Sequence, residues 1–268
     1  GRAIDVRLDL HVPLVVLGQI ARLVTLHEES ERLARDLGDS PRLARLLYRM
    51  SQYAWIEGRY KDGLERAGQA LEIATRIGDA EVRVLATYAL GLNQCLLGAH
   101  REAIALFERV LDGPDTHIAR RALALTVPAY IGAACWRGYA LTLIGEIGPA
   151  LETTDRAAQP ADESDHPQAQ AIAYTMRAIP MLFQGRTDTG LALCERALAL
   201  CESKALLIWL PAALGTLGWA LTLVGRGTEG AVHLERATSA MEATGVHGNL
   251  AHMYIWWADA LLGAGRLD

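Results

Sequence analysis

Seven glycines recur along this chain at spacings of 40, 40, 47, 40, 40 and 40 residues: Gly18, Gly58, Gly98, Gly145, Gly185, Gly225 and Gly265. A fixed period between about 20 and 50 residues marks stacked repeat units, because one helical hairpin cannot bury its own apolar face and must lean on neighbours. Each glycine closes an apolar helix and precedes a second helix that opens with small residues. The phrases are WIEGRYKDGLERAGQAL, LLGAHREAIALFERVL, LIGEIGPALETTDRAA, FQGRTDTGLALCERALAL and LVGRGTEGAVHLERA. Glycine suits this place because a left-handed residue ends a helix there without a Cβ clash. Hydrophobic residues make up 51% of the chain and aromatics only 6%, which favours close-packed helices over sheet.

The flanking positions obey the same frame. Eight and seven residues before the glycine stand Leu90–Gly91 and Leu217–Gly218, with Met50–Ser51 in a third unit. Five residues after it the side chain is always small: Gly63, Ala103, Ala150, Gly190 and Gly230. Two helices of a hairpin are expected to cross closely there. Nine after it come Ala67, Phe107, Thr154, Cys194 and Leu234, and twelve after it Ala70, Val110, Ala157, Ala197 and Ala237. This spacing sets all three positions on one helix stripe.

The chain offers no chemistry-bearing motif. There is no HExxH, phosphate-cradling glycine loop or GxSxG, and GRGTEG (225–230) is a repeat turn. No catalytic, metal or cofactor role is assigned to any residue. His247 and His252 lie five apart, a poor ligand spacing on a helix, and read as surface or capping residues, as do His117 and His166 in linkers. The formal net charge of -5, with no long Lys/Arg block, argues against a nucleic-acid partner. Cys95, Cys135, Cys194 and Cys201 have no CxxC spacing and are expected to be buried thiols in a reducing cytoplasm. No apolar run is long enough to span a membrane.

The leucine–small pair, the small residue opening the second helix, the bulkier plug and the following alanine resemble the tetratricopeptide repeat. The resemblance implies an all-α TPR-like superhelix, a solenoid of about six and a half hairpins. Its period of 40 exceeds the usual length of about 34. The expected repeats are 3–39, 41–78, 80–111, 124–160, 167–204, 206–245 and, for helix A alone, 247–268. An insertion covers about 112–123. Ser40 is expected to cap the second repeat with Pro41 in its first turn. The insertion either lengthens helix A of the fourth repeat, the preferred expectation, with Pro128 kinking it or starting a fresh helix, or marks a boundary between two subarrays that changes the superhelical curvature. The phrase GRLD is expected to continue into a helix B in a longer protein.

In that family helix A lines the partner groove, so the resemblance implies a surface on Arg45, Tyr48, Gln52 and Trp55. It continues through Tyr88, Leu92 and Cys95, Cys135 and Tyr139, Thr175, Ile179 and Leu182, and Gly215, Trp219 and Thr222. The Lys/Asn pattern that grips acidic C-terminal tails is missing. An apolar groove suits a helix, a neighbouring domain or a second copy of the chain, through the groove or an end face. Arg137 and Arg177 stand where the motif wants leucine. Either they receive an anion such as a phosphate or carboxylate, or a local helix shift exposes both.

Three longer phrases, AIDVRLDLHVPLVVLGQIARLVTLHEESERLARDLGD, YAWIEGRYKDGLERAGQALEIATRIGD and LALCERALALCESKALLIWLPAALGTLGWALTLVGR, resemble the repeat region of bacterial signalling proteins. Those proteins join class III adenylate/guanylate cyclase domains to AAA- or STAND-type ATPase modules. The resemblance implies a cytoplasmic, non-catalytic sensor or protein-interaction arm. Two alternatives stay open: the inducer-binding arm of a maltose-activator-like transcription regulator, which would take a small molecule, and a passive assembly scaffold.

Overall fold

The computed structural model describes residues 1–17 and 19–265, so the turn expected at Gly18 and the last three residues lie outside the described residues. The chain is an all-α solenoid of TPR-like helical hairpins, divided into two compact units, Gly1–Ala133 and Ala134–Asp268. The first unit holds α1 (Arg2–Asp9), α2 (His11–Val16), α3 (Ile20–Asp36), α4 (Ser40–Ile56), α5 (Tyr60–Ile77), α6 (Ala80–Leu96) and α7 (His100–Asp112). A short α8 (Thr116–Ala119) and the strands β1 (Leu123–Ala124) and β2 (Val127–Pro128) follow. The second unit holds most of α9 (Ala129–Leu143), then α10 (Ile147–Asp162), α11 (Pro167–Phe183), α12 (Thr187–Ser203), α13 (Leu210–Leu223), α14 (Gly227–Thr244) and α15 (Leu250–Gly263).

Within each unit a helix packs mainly on its neighbours in sequence, and A helices also touch the next A helix, as in α4 with α6 and α11 with α13. The described turn glycines all have positive φ, from 73° at Gly265 to 87° at Gly98. The hydrogen bonds explain why. At the end of α4, Gly58 N–H donates to Trp55 O (3.0 Å) and Arg59 N–H to Ala54 O (2.7 Å), the paired bonds that satisfy a helix's last carbonyls.

B helices end the same way at Gly38, Gly78 and Gly245, and the 40-residue frame puts Ala205 in that role with φ 51°. Leu206 N–H donates to Cys201 O (2.9 Å), so the cap forms despite the Cβ. An L-residue in this conformation costs about 1–2 kcal/mol, partly offset by glycine's greater freedom in the unfolded chain. Ala205→Gly is therefore expected to stabilise the second unit by about 1 kcal/mol, read as a higher denaturant midpoint with unchanged slope; a lower midpoint would contradict the assignment.

The second repeat is capped differently from the expectation. Asp39, not Ser40, is the N-cap: its carboxylate accepts from Arg42 N–H (3.2 Å), and Ser40 is the first helical residue. Asp79 caps α6 in the same manner through Val82 N–H (3.0 Å). An ionised acceptor satisfies the orphan amide and meets the positive end of the helix dipole, which a hydroxyl does less well. Asp39 also binds Arg42 Nη1 (2.6 Å), and Asp5 of α1 holds the same guanidinium at 2.6 and 2.8 Å. Ile4, Ala34 and Leu46 close the small core beneath this knot.

The crossing positions are filled as their sizes require. Ala103 and Ala150 are fully buried, and Ser51 Oγ donates to Gly63 O (2.7 Å) across the α4–α5 crossing. Phe107 is fully buried against Gly91, where an added Cβ would sit 2.8 Å from the ring. In the first repeat Leu23 occupies the crossing place and is wholly buried.

The insertion corrects an expectation. Helix A of the fourth repeat is not lengthened: Gly113 to Pro128 form α8 and a two-pair antiparallel hairpin, and α9 starts afresh at Ala129. Pro128 has no N–H to give and forces Val127 out of the helical region, so a helix through this point is broken. The hairpin pairs Leu123 with Pro128 and Ala124 with Val127, and Ala129 N–H reaches Ala122 O (2.9 Å).

Candidate interaction surface

Candidate residues on α4 fall on one stripe, but only Arg45 is exposed; it lies 3.9 Å from Asp79. Tyr48, Gln52 and Trp55 are buried. Tyr48 Oη donates to Leu123 O of the hairpin (3.3 Å), and burial pushes its pKa up. On α6, Tyr88 packs 6.1 Å from the Phe107 ring and beside Gly132, and Leu92 and Cys95 are buried with it. Among the first unit's candidates, Tyr48 is thus the one seen bonded to the inserted hairpin, and the others are mostly buried in the helix packing.

In the second unit the candidates belong to a chain of rings. Trp219 of α13 stacks on Trp256 of α15 with centroids 4.9 Å apart and planes 4° from parallel, and Phe183 tilts against Trp219 at 5.3 Å. His252 lies 4.7 Å from Trp256, and its Nδ1 is 3.0 Å from Tyr139 Oη. Trp136 meets Tyr139 edge to face at 5.6 Å. Such pairs add about 0.5–1.5 kcal/mol each beyond burial. Ile179 and Leu182 are buried, with Leu182 filling the space that Gly190 leaves, and Thr175 is buried beside them. Gly215 yields room to Met253 Sδ. Phe183 keeps 52% of its surface open and is the exposed end of the series.

His252 therefore departs from its reading as a surface residue: it is half-buried, hydrogen-bonded, and held below the ordinary histidine range by burial. His247 is exposed as expected, and His166 caps α11 by accepting from Ala169 N–H (3.3 Å). A second cluster escaped the sequence reading. His11, His27 and Tyr53 share the first unit's interior, with His11 Nδ1 2.5 Å from Tyr53 Oη and the His27 and Tyr53 rings 5.3 Å apart. His11 and His27 belong to the atypical first hairpin, where the repeat frame gives no positional signal, and Tyr53 meets them from α4.

Arg137 and Arg177 both lean on α10. Arg137 bonds Thr153 Oγ1, and Arg177 pairs with Asp155 at 2.7 Å. A shallow cleft beside Arg177 is bounded by Asp155, Gln159, Asp162 and Glu163. An incoming anion at Arg177 competes with carboxylates already present.

All four cysteines are buried as free thiols, and burial raises their pKa values to about 12 for Cys95, Cys194 and Cys201, and further for Cys135. Thiolate is the reactive form. At pH 8 the folded chain is expected to resist iodoacetamide, with all four sites alkylated only after denaturation; fast labelling of any one by intact-mass analysis would contradict this. Among the described residues no group of three His, Cys, Asp or Glu side chains is placed to hold a metal, and no helix is long and apolar enough to cross a membrane.

Comparison with known proteins agrees with this architecture. Residues 42–114 match the tetratricopeptide repeat family. No curated protein sequence matches the chain. Among solved structures, a tetratricopeptide repeat protein from Parabacteroides merdae ATCC 43184 aligns over 99% of this chain and 92% of its own, with 14% identity and TM-score 0.51. A Rap protein complexed with competence and sporulation factor aligns over 92% of this chain and 72% of its own, with 14% identity and TM-score 0.63. The apo form of RapI covers 98% and 72%, with 11% identity and TM-score 0.55. At these identities the likeness is one of fold. That fold is TPR-like, and a fold by itself assigns no function.

Proposed function

We propose that this chain is the non-catalytic interaction or sensor arm of a larger bacterial signalling protein, joined to ATPase or nucleotide-cyclase domains and working in the cytoplasm. The observation that carries the reading is the assembly of A-helix side chains into one polar-aromatic set per unit on a repeat scaffold of an interaction class. In the first unit Arg45 is the exposed member that a partner meets, with Tyr48, Gln52 and Trp55 buried on the same stripe; in the second unit it is Phe183, packed against Trp219. The Rap protein was solved complexed with a factor, so a fold of this kind accommodates a bound partner. The phrases that resemble cyclase- and ATPase-linked repeats supply the rest of the proposal.

Titration calorimetry tests it. The chain, titrated with the separately produced remaining domains of its parent protein, is expected to show saturable binding, weakened by Arg45→Glu or Phe183→Asp. No heat in that titration, together with a monomer by light scattering, would refute the reading.

A further inference from the structure

We propose that the hairpin of residues 122–129 is a displaceable occupant of the first unit's A-helix face, which takes an extended apolar peptide segment of a partner protein in its place. This rests on the reading of the A-helix face as a partner surface. Loops normally run over the outside of a protein, where water satisfies their polar groups. Here the loop tip is inside: Ala124, Leu125, Thr126 and Val127 are all buried. Leu125 holds φ 59°, a conformation that a bulky side chain rarely adopts and that the surroundings must impose.

The contacts are of the kind that receive a peptide. Tyr48 Oη bonds the Leu123 carbonyl of the hairpin at 3.3 Å. Recognition through main-chain groups, with small apolar side chains filling the spaces between, is how a protein face accepts an extended segment of varied sequence. The hairpin contributes little to its own stability, having two ladder pairs, and an isolated two-stranded hairpin is marginal in water.

The hairpin also leaves the face incompletely satisfied. Gln52, one turn on from Tyr48, and Arg49, which lines the cleft beside the hairpin, each bury a donor, Nε2 and Nη1, with no hydrogen-bond partner among the described residues. Buried donors without acceptors are costly, and a segment offering more carbonyls would satisfy them. Beside the hairpin an open cleft of about 520 Å³, bounded by Arg49, Glu81, Ile118, Arg121, Ala122 and Leu123, gives an incoming chain its approach.

The test replaces residues 122–128 with a Gly-Ser linker of equal length in the full chain. Fluorescence anisotropy then follows a labelled peptide of residues 118–129. A face that is already occupied binds a competitor with an affinity reduced by its vacant fraction. The variant is expected to bind the peptide about tenfold or more tightly than the unaltered chain, and Tyr48→Phe in the variant background is expected to weaken binding. A variant with unchanged helical circular dichroism that binds no better than the unaltered chain would overturn the proposal. Hydrogen exchange on the unaltered chain is the second readout. Amides of 122–129 are expected to exchange well before those of α4 and α6; exchange together with those helices would show a fixed plug and overturn it. Failure here leaves the calorimetric association with the parent's other domains unaffected, so the two readings fail separately.

Discussion

As the pH falls from 7 towards 4, the N-terminal helices of the first unit are expected to detach before the second unit unfolds. His11 and His27 are 1% and 0% exposed, and their rings stack with centroids 6.4 Å apart. Burial, joined by the charge of Arg49, holds His11 down to about 2 and His27 to about 4. The main chain of Leu125 opposes the shift for His11, and the Arg7 carbonyl, 3.3 Å from His27 Nε2, opposes it for His27. Both native rings are therefore neutral, while in the unfolded chain they titrate near 6.5. Below that pH the unfolded state binds more protons, so this stability is complete above about 6.5 and is lost as the pH falls towards the folded values.

Each ring loses about 1.4 kcal/mol per pH unit, so at pH 5 the pair costs on the order of 4 kcal/mol. In the second unit His233 and His252 shift in the same direction but are only partly buried, so that unit loses less. Hydrogen exchange at pH 7, 6, 5 and 4 is expected to show α1 to α3 opening first. His27→Leu is expected to flatten the dependence. Uniform loss of protection across both units, or none in α1 to α3, would contradict the argument.

Gly218→Val is expected to destabilise the second unit by about 3 kcal/mol or more, through overpacking at a helix crossing. A Cβ on Gly218 would lie 2.7 Å from both the Gly230 carbonyl oxygen and Leu234 Cγ. From the other side, a Cβ on Gly230 would lie 2.5 Å from the Gly218 oxygen and 2.6 Å from Thr222 Oγ1. The obstruction is largely main chain, so no rotamer change relieves it and α13 must move from α14. Gly68 in α5 is the control: an added Cβ there meets nothing within 4 Å. Gly68→Ala is expected to stabilise the first unit by about 0.5–1 kcal/mol. Denaturant titration of each variant gives the sign directly, and a neutral Gly218→Val would show that the crossing is looser than its geometry.

These two glycines show what a repeat sequence makes legible. A position that must be small in every copy announces a close approach, because the same steric demand recurs at the same offset. Turn glycines are legible for the same reason: each copy needs one left-handed residue at one place. What occurs once has no such signal. The hairpin from 122 to 129 depends on Pro128 breaking a helix that the surrounding apolar residues favour, and on a contact with Tyr48, which lies far off in sequence. The His11–His27–Tyr53 cluster is likewise a meeting of the atypical first hairpin with α4. Groove candidates can be chosen from the frame, but their burial cannot, because Tyr139 meets His252 over a sequence separation of 113 residues. Local periodicity is blind to such a contact.

The central proposal is that this chain transmits a signal within a larger protein and performs no chemistry of its own. It is tested most directly by measuring ATP turnover and cyclic-nucleotide production of the parent protein with and without residues 1–268, alongside the chain alone. The account predicts no turnover by the chain alone, and a change of about fivefold or more in the parent's output when the arm is removed, the size of an ordinary coupling between sites. Identical output with and without the arm, or turnover by the isolated chain, would contradict it.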